Sequence, residues 1–143
     1  MENKRHLGID YGSKRIGLAL SDPLNIIAQG FGVVLNSPAA IHEIKKVIEQ
    51  YAIISIVIGI PYNLKGQAGK SVDVVEQFIT SLQKEVGIPI VRWDERFTST
   101  RVHQTLREMG VKKKQRQSKE KIDALAAALI LQSYLDSPKH RTI

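Results

Sequence analysis

The chain has 143 residues, 43% of them hydrophobic, no cysteine, and 21 Lys and Arg against 14 Asp and Glu for a formal charge of +7. That length suits a single domain, residues 1–143, with a sizeable core, and no apolar run approaches the roughly 18 residues of a membrane span. The lack of thiols excludes disulfides and thiolate zinc sites; the first residues carry no signal-peptide pattern, so a soluble cytoplasmic protein is expected, and the positive charge favours polyanionic partners.

Residues 7–11 and 16–20 are short apolar runs joined by the turn Gly12-Ser13-Lys14-Arg15, a hairpin pattern. Asp10 lies at the mouth of the first strand, and Gly8, Gly12 and Gly17 around it let other backbone or a ligand come close. Residues 26–35 form a third strand, which Gly30 and Gly32 place at a sheet edge. Ser37-Pro38 opens a helix over 38–51, where Ile41, Ile44, Val47, Ile48 and Tyr51 recur at helical spacing. The nearly continuous β-branched run 53–60 predicts a central strand covered on both faces. A loop over Pro61–Gly69 follows, then a helix marked by Val72, Val75, Phe78, Ile79 and Leu82 that closes near Gly87. Residues 88–93 are a fifth strand with Pro89 at its start, and Thr98–Met109 and Lys119–Leu135 read as two further helices. The order predicts an α/β fold: a five-stranded mixed sheet, a three-strand meander and then two crossovers, with helices on both faces. Sites in such sheets lie at the carboxyl ends of the parallel strands. Asp10, the Pro61 loop and Asp94-Glu95 all fall at that end.

Each acid there has a plain structural role open to it: Asp10 could bond its own turn, Asp94-Glu95 could cap the next helix, and Asp123 could answer a helix dipole. Asp123, however, precedes the apolar run Ala124-Leu125-Ala126-Ala127-Ala128-Leu129-Ile130, whose alanines let that helix pack closely. If its first turns cover the strand ends, Asp10, Glu95 and Asp123 share one pocket, and three carboxylates there raise one another's pKa. A hard divalent cation, Mg²⁺ or Mn²⁺, resolves the repulsion, and two such ions serve phosphodiester hydrolysis without a side-chain nucleophile. Lys14, Arg15, Arg96, Arg101 and the run Lys112, Lys113, Lys114, Arg116, Lys119 and Lys121 are placed to hold flanking phosphates of a nucleic acid. Trp93 and Phe97 could stack on a base, although core packing is the commoner role for both.

Gly66-Gln67-Ala68-Gly69-Lys70-Ser71 ends like a phosphate loop, but the Gly that the motif needs is Leu64. An actin-like or sugar-kinase ATPase also uses a glycine-flanked Asp hairpin, yet binds nucleotide between two domains where this length suits one. The alternative of another class is a non-catalytic RNA-binding factor, which would need the basic surface and be indifferent to losing Asp10.

Four motifs in order, Gly8-Ile9-Asp10-Tyr11-Gly12-Ser13-Lys14-Arg15-Ile16-Gly17, Ile58-Gly59-Ile60-Pro61-Tyr62-Asn63 with Gly66, Asp94-Glu95-Arg96-Phe97-Thr98-Ser99, and Lys121-Ile122-Asp123-Ala124, resemble the YqgF-type, or RuvX-like, Holliday-junction resolvases over nearly the whole chain. The resemblance implies an RNase H-like fold and a metal-dependent nuclease that acts on branched DNA or at the 5′ end of the 16S ribosomal RNA precursor. It carries Asp10, Glu95 and Asp123 over as catalytic metal ligands, with Asp94 as a further acid. Alternation along a strand keeps Asp94 and Glu95 from both ligating if the strand runs through them, and Glu95 is preferred. The chain departs from the wider RNase H pattern where its fourth strand ends in Gly59-Ile60-Pro61 without an acid, as if that ligand had moved to the fifth strand. A monomer and a weak homodimer are both compatible with the sequence.

Overall fold

The computed structural model describes residues 4–62, 65, 68–98 and 116–138, with side chains from Lys119 onward in the last stretch. Its strands are β1 (Arg5–Tyr11), β2 (Arg15–Ser21), β3 (Ala28–Leu35), β4 (Ile53–Ile60) and β5 (Ile90–Asp94), and its helices α1 (Ala40–Gln50), α2 (Lys70–Glu85) and α3 (Arg116–Leu135). The sheet order is β3-β2-β1-β4-β5. The first three strands are antiparallel neighbours, and β4 and β5 join in parallel by way of α1 and α2. The expected meander and crossovers are therefore the architecture observed, with β1 in the middle and β4 one place off centre.

Alternation divides the strand residues between two cores. Leu7 and Ile9 of β1, Ile16 and Leu18 of β2, and Ile56, Ile58 and Ile60 of β4 pack with Ile44 of α1 and Ile79 and Leu82 of α2. Burying each such side chain contributes roughly 1.5–3 kcal/mol. On the opposite face Ala19, Val57 and Trp93 pack against Ala127, Ile130, Leu131 and Tyr134 of α3. Small residues on both sides bring this helix very near the strands. A Cβ on Gly8 would lie 2.7 Å from the Leu131 Cβ and 2.9 Å from the Ala127 carbonyl oxygen. Two polar groups of this second layer are partnered, the Trp93 indole donating to Ser133 Oγ at 3.0 Å and the His6 backbone N–H to Ser21 Oγ at 2.8 Å, whereas the buried Thr98 hydroxyl has no partner among the described residues.

Several boundaries move for identifiable reasons. β3 begins at Ala28 rather than residue 26, because Asp22 Oδ1 accepts the N–H groups of Ile26 and Ile27 at 2.6 and 2.8 Å and closes a turn there. α1 starts at Ala40, after Ser37 Oγ accepts the Ala39 N–H at 3.2 Å. β5 runs to Asp94 and starts after Pro89, whose carbonyl accepts from Ile56. α3 begins a turn earlier than expected, at Arg116. Of the helix expected over Thr98–Met109, Thr98 is extended and follows a 3-10 turn at Glu95–Phe97, and the remainder lies outside the described residues. Among the described residues no helix is long and apolar enough to cross a membrane.

Candidate active site

Asp10 pairs across the hairpin with Gly17 and, by alternation from the buried Leu7 and Ile9, stands on the α3 face of the sheet. Burial pushes its carboxyl up from 3.8 to about 6, and the charge of Asp123 adds to the rise. Glu95 is the first residue of the 3-10 turn that follows β5, so its side chain is set by that turn rather than by strand alternation. Burial pushes it up from 4.5 to about 7, with smaller contributions from the charges of Asp10 and then Asp94. Both groups are thus costly to ionise in the absence of a cation. Neither is ion-paired among the described residues.

The Glu95 side chain lies where a fourth-strand side chain would otherwise project. A Cβ on Gly59 would lie 2.8 Å from Glu95 Cγ, 3.1 Å from Glu95 Cδ and 2.7 Å from Ile130 Cδ1. The missing fourth-strand acid and the presence of an acid after β5 are therefore one spatial arrangement: the bare backbone at Gly59 makes the space into which Glu95 folds. Replacing Gly59 with Ala should push Glu95 out of this recess, so that in a ¹³C-detected pH titration its carboxyl ionises nearer the ordinary 4.5 than about 7. An unchanged Glu95 titration in Gly59→Ala would contradict this packing.

Asp94 and Asp123 are differently placed. Asp94 caps the 3-10 turn by accepting the Arg96 N–H at 2.9 Å, and the Arg96 guanidinium grips both its oxygens. Those hydrogen bonds hold its carboxyl below the usual range. Asp123, in α3, accepts the Arg15 Nε–H on Oδ2 at 2.6 Å. Among the described residues no three acidic or imidazole side chains surround one point as a metal cage would. Asp10 and Glu95 are the open pair, and Asp123 adjoins Asp10 with one oxygen engaged.

The proposed phosphate-holding cations are spread unevenly. Lys14 and Lys119 are exposed, whereas Arg15 and Arg96 are each committed to an acid. Arg116 opens α3, and Arg101, Lys112, Lys113 and Lys114 lie outside the described residues. Phe97 is largely exposed and meets the buried Trp93 edge-on, with ring centroids 5.4 Å apart. Sequence reading missed two supports of the site, Gly59 and Asn36. The Asn36 side-chain amide donates to the Gly12 carbonyl at 2.8 Å and its backbone N–H to the Lys14 carbonyl at 2.9 Å, which ties down the turn carrying Arg15. The Gly-Ile-Pro ending of β4 held a signal for Gly59; an Asn just past a strand holds none.

The family described as RuvX, Holliday junction resolvase, matches residues 4–137. Proteins of Ruminiclostridium cellulolyticum and Natranaerobius thermophilus are 39% and 43% identical over 137 and 134 residues, each alignment covering 92% of this chain and 94% of the relative. Both bear the name "Putative pre-16S rRNA nuclease". Among solved structures, T. thermophilus RuvC in complex with a Holliday junction substrate aligns over 92% of this chain and 94% of its own, with a TM-score of 0.52 at 20% identity. At that identity the likeness is one of fold: the RNase H-like arrangement of a mixed five-stranded sheet between helices.

Proposed function

The chain belongs to the RuvX family of Holliday junction resolvases, and from that premise we propose that this nuclease is a single-domain, metal-dependent endonuclease that hydrolyses phosphodiester bonds of structured nucleic acid. The observation that carries the reading is the juxtaposition of Asp10 and Glu95: two recessed carboxyls at the carboxyl ends of β1 and β5, both held well above their ordinary pKa and neither paired with a cation among the described residues. A polar pair so costly to ionise is a poor structural choice and a good receptor for a hard divalent ion, because oxygen donors of negative charge are what Mg²⁺ and Mn²⁺ select.

In this reading Asp10 and Glu95 hold the ion, Asp123 is the third catalytic carboxylate, and Asp94 stays with Arg96 as a brace of the 3-10 turn. Bound there, one or two divalent ions would supply the charge that acidifies an attacking water and stabilises the leaving oxygen. The chain's own residues position that chemistry: β1 and the 3-10 turn fix the two acids, Gly59 leaves room for Glu95, and α3 brings Asp123 alongside. Lys14 at the hairpin tip, Lys119 on α3 and the basic residues 112–116 hold the flanking phosphates, which gives orientation and affinity without sequence information. The names of the relatives and of the family point to two substrates, the 16S rRNA precursor and the Holliday junction; in this reading the cut in the precursor falls at its 5′ end, and the enzyme acts as a monomer or a weak homodimer in the cytoplasm.

The deciding experiment offers a 5′-extended 16S precursor RNA, a matched single-stranded DNA and a four-way junction to the native protein and to Glu95→Gln, with EDTA, Mg²⁺ or Mn²⁺. Divalent-dependent cleavage that Glu95→Gln loses while still binding is the expected outcome, and the cleaved member names the substrate class. Binding of the RNA by both proteins, with no cleavage under any metal condition, would replace this reading with the non-catalytic RNA-binding factor.

A further inference from the structure

The four acids of the site fall into two classes. Asp94 and Asp123 each have an arginine; Asp10 and Glu95 have no ion-pair partner among the described residues. The two arginine pairs are not equivalent. Arg96 is two residues from Asp94 on the same turn, so that pair travels together as a local brace. Arg15 and Asp123 come from elements 108 residues apart and meet within a site that already carries surplus negative charge.

Both partners of that second pair are held in place. Arg15 is the first residue of β2, paired with Leu35 on β3, and Asn36 fastens the turn before it. By alternation its side chain shares the α3 face with Gly17, over which the Asp123 backbone rests. The contact is a charge-assisted hydrogen bond of 2.6 Å, with both side chains about 26% exposed. A guanidinium keeps its charge at every relevant pH, so a competing cation at Asp123 or a competing anion at Arg15, rather than loss of the arginine's proton, is what would part them.

We infer that Arg15 is the resident counter-ion of Asp123: a positioning residue that fixes this carboxylate in the metal-free enzyme and must yield it before a divalent cation can draw on all three acids. The inference rests on the metal-dependent reading above and adds an order to it. The open pair, Asp10 and Glu95, is available first. Asp123 joins when Arg15 lets go, and the freed guanidinium, at the mouth of the hairpin beside Lys14, is then placed to fork onto a phosphate oxygen pair. Substrate and metal therefore favour each other's binding, because each takes one half of the same ion pair.

Thermal unfolding at pH 8 of the native protein, Arg15→Gln and Arg15→Lys, in EDTA and over a Mg²⁺ series, tests this together with Mn²⁺ titration calorimetry. In EDTA Arg15→Gln melts lowest, since Asp123 then faces Asp10 unneutralised. Mg²⁺ raises its midpoint by more than it raises the native one, and Mn²⁺ binds it about three- to tenfold more tightly, the scale on which a part-exposed charged hydrogen bond competes. Arg15→Lys keeps the charge and loses the Nε–H that meets Asp123, so it falls between the two. If Arg15→Gln does not fold, tighter Mn²⁺ binding by Arg15→Lys than by the native chain still supports the inference, and equal binding overturns it. Equal gains and equal affinities in native and Arg15→Gln protein overturn the inference while the metal site stands. No response to either ion in any of the three proteins overturns the metal-dependent reading itself, and this inference with it.

Discussion

Asp10→Asn should abolish cleavage and, in EDTA at pH 8, make the protein more stable than the native chain. The two effects have one cause. Asp10 is recessed beside Glu95 and Asp123, so its ionised form is disfavoured until a cation arrives. In the proposed reading, removing the negative charge takes away a ligand of the divalent ion, whose contribution of several kcal/mol to the transition state would correspond to a rate loss of roughly a thousandfold or more. Removing the same charge also relieves the folded state. A carboxyl whose folded pKa of about 6 exceeds its ordinary 3.8 contributes stability that is fully present below pH 4 and lost as pH rises through 6. Glu95, lifted from 4.5 to about 7, extends that loss to neutral pH.

The metal-free native protein should therefore melt at progressively lower temperature between pH 4 and pH 7.5, and Asp10→Asn should show a shallower slope and a gain on the order of 2 kcal/mol at pH 8. Saturating Mg²⁺ should flatten the native slope and do much less for the variant, since a ligand bound only by the folded state stabilises it. Calorimetric unfolding across pH with and without Mg²⁺ measures all of this. Parallel slopes for native and variant protein, or a variant less stable than the native chain at pH 8, would mean that Asp10 is an ordinary hydrogen-bonded strand end.

The sequence carried the fold well because the relevant signals were local and redundant. Alternation in β1 and β2, a β-branched run in β4 and helical spacing in α1 and α2 each named an element independently, and the crossover rule then ordered the sheet. The placement of Asp10 was legible for the same reason: a strand end is a local feature. What periodicity could not convey is how far a side chain reaches between elements. Glu95 leaves the strand rhythm for a 3-10 turn, so alternation was the wrong instrument for choosing between it and Asp94. What sets the two apart in the structure is Arg96, which engages Asp94, and Gly59, which leaves space for Glu95, and on that difference the proposed site takes Glu95. Arg15 was read as a phosphate contact because the sequence shows a basic turn. Its bond to Asp123 depends on the rotation of α3 about its axis, which residues more than a hundred positions away determine.

Gly17 is where that rotation is enforced, and Gly17→Ala should be the most damaging Gly-to-Ala change among the described glycines. A Cβ there would stand 2.1 Å from the Asp123 carbonyl oxygen, 2.7 Å from its carbonyl carbon and 3.4 Å from the Ala124 nitrogen. These are backbone atoms of a helix facing backbone atoms of a strand that is paired on both sides, so no flexible side-chain tip can swing away. The start of α3 must move outward by about 1 Å or more, and overpacking of that kind costs on the order of 2–4 kcal/mol. Misplacing a catalytic group by about 1 Å can itself cost roughly a hundredfold in rate. Asp123 would be carried off Arg15 and away from Asp10 in the same movement, so cleavage should fall by at least that factor even in the fraction that remains folded. Gly30→Ala is the control: its Cβ would sit 3.2 Å from Ala124 atoms, on the edge strand β3, where the backbone can give. It should lose no more than about 1 kcal/mol and keep most of its activity. Urea midpoints and single-turnover cleavage on both variants separate the two. If Gly17→Ala were as mild as Gly30→Ala, α3 would be free to ride over the sheet, and the registration of Asp123 against Asp10 would have to come from bound metal rather than from packing.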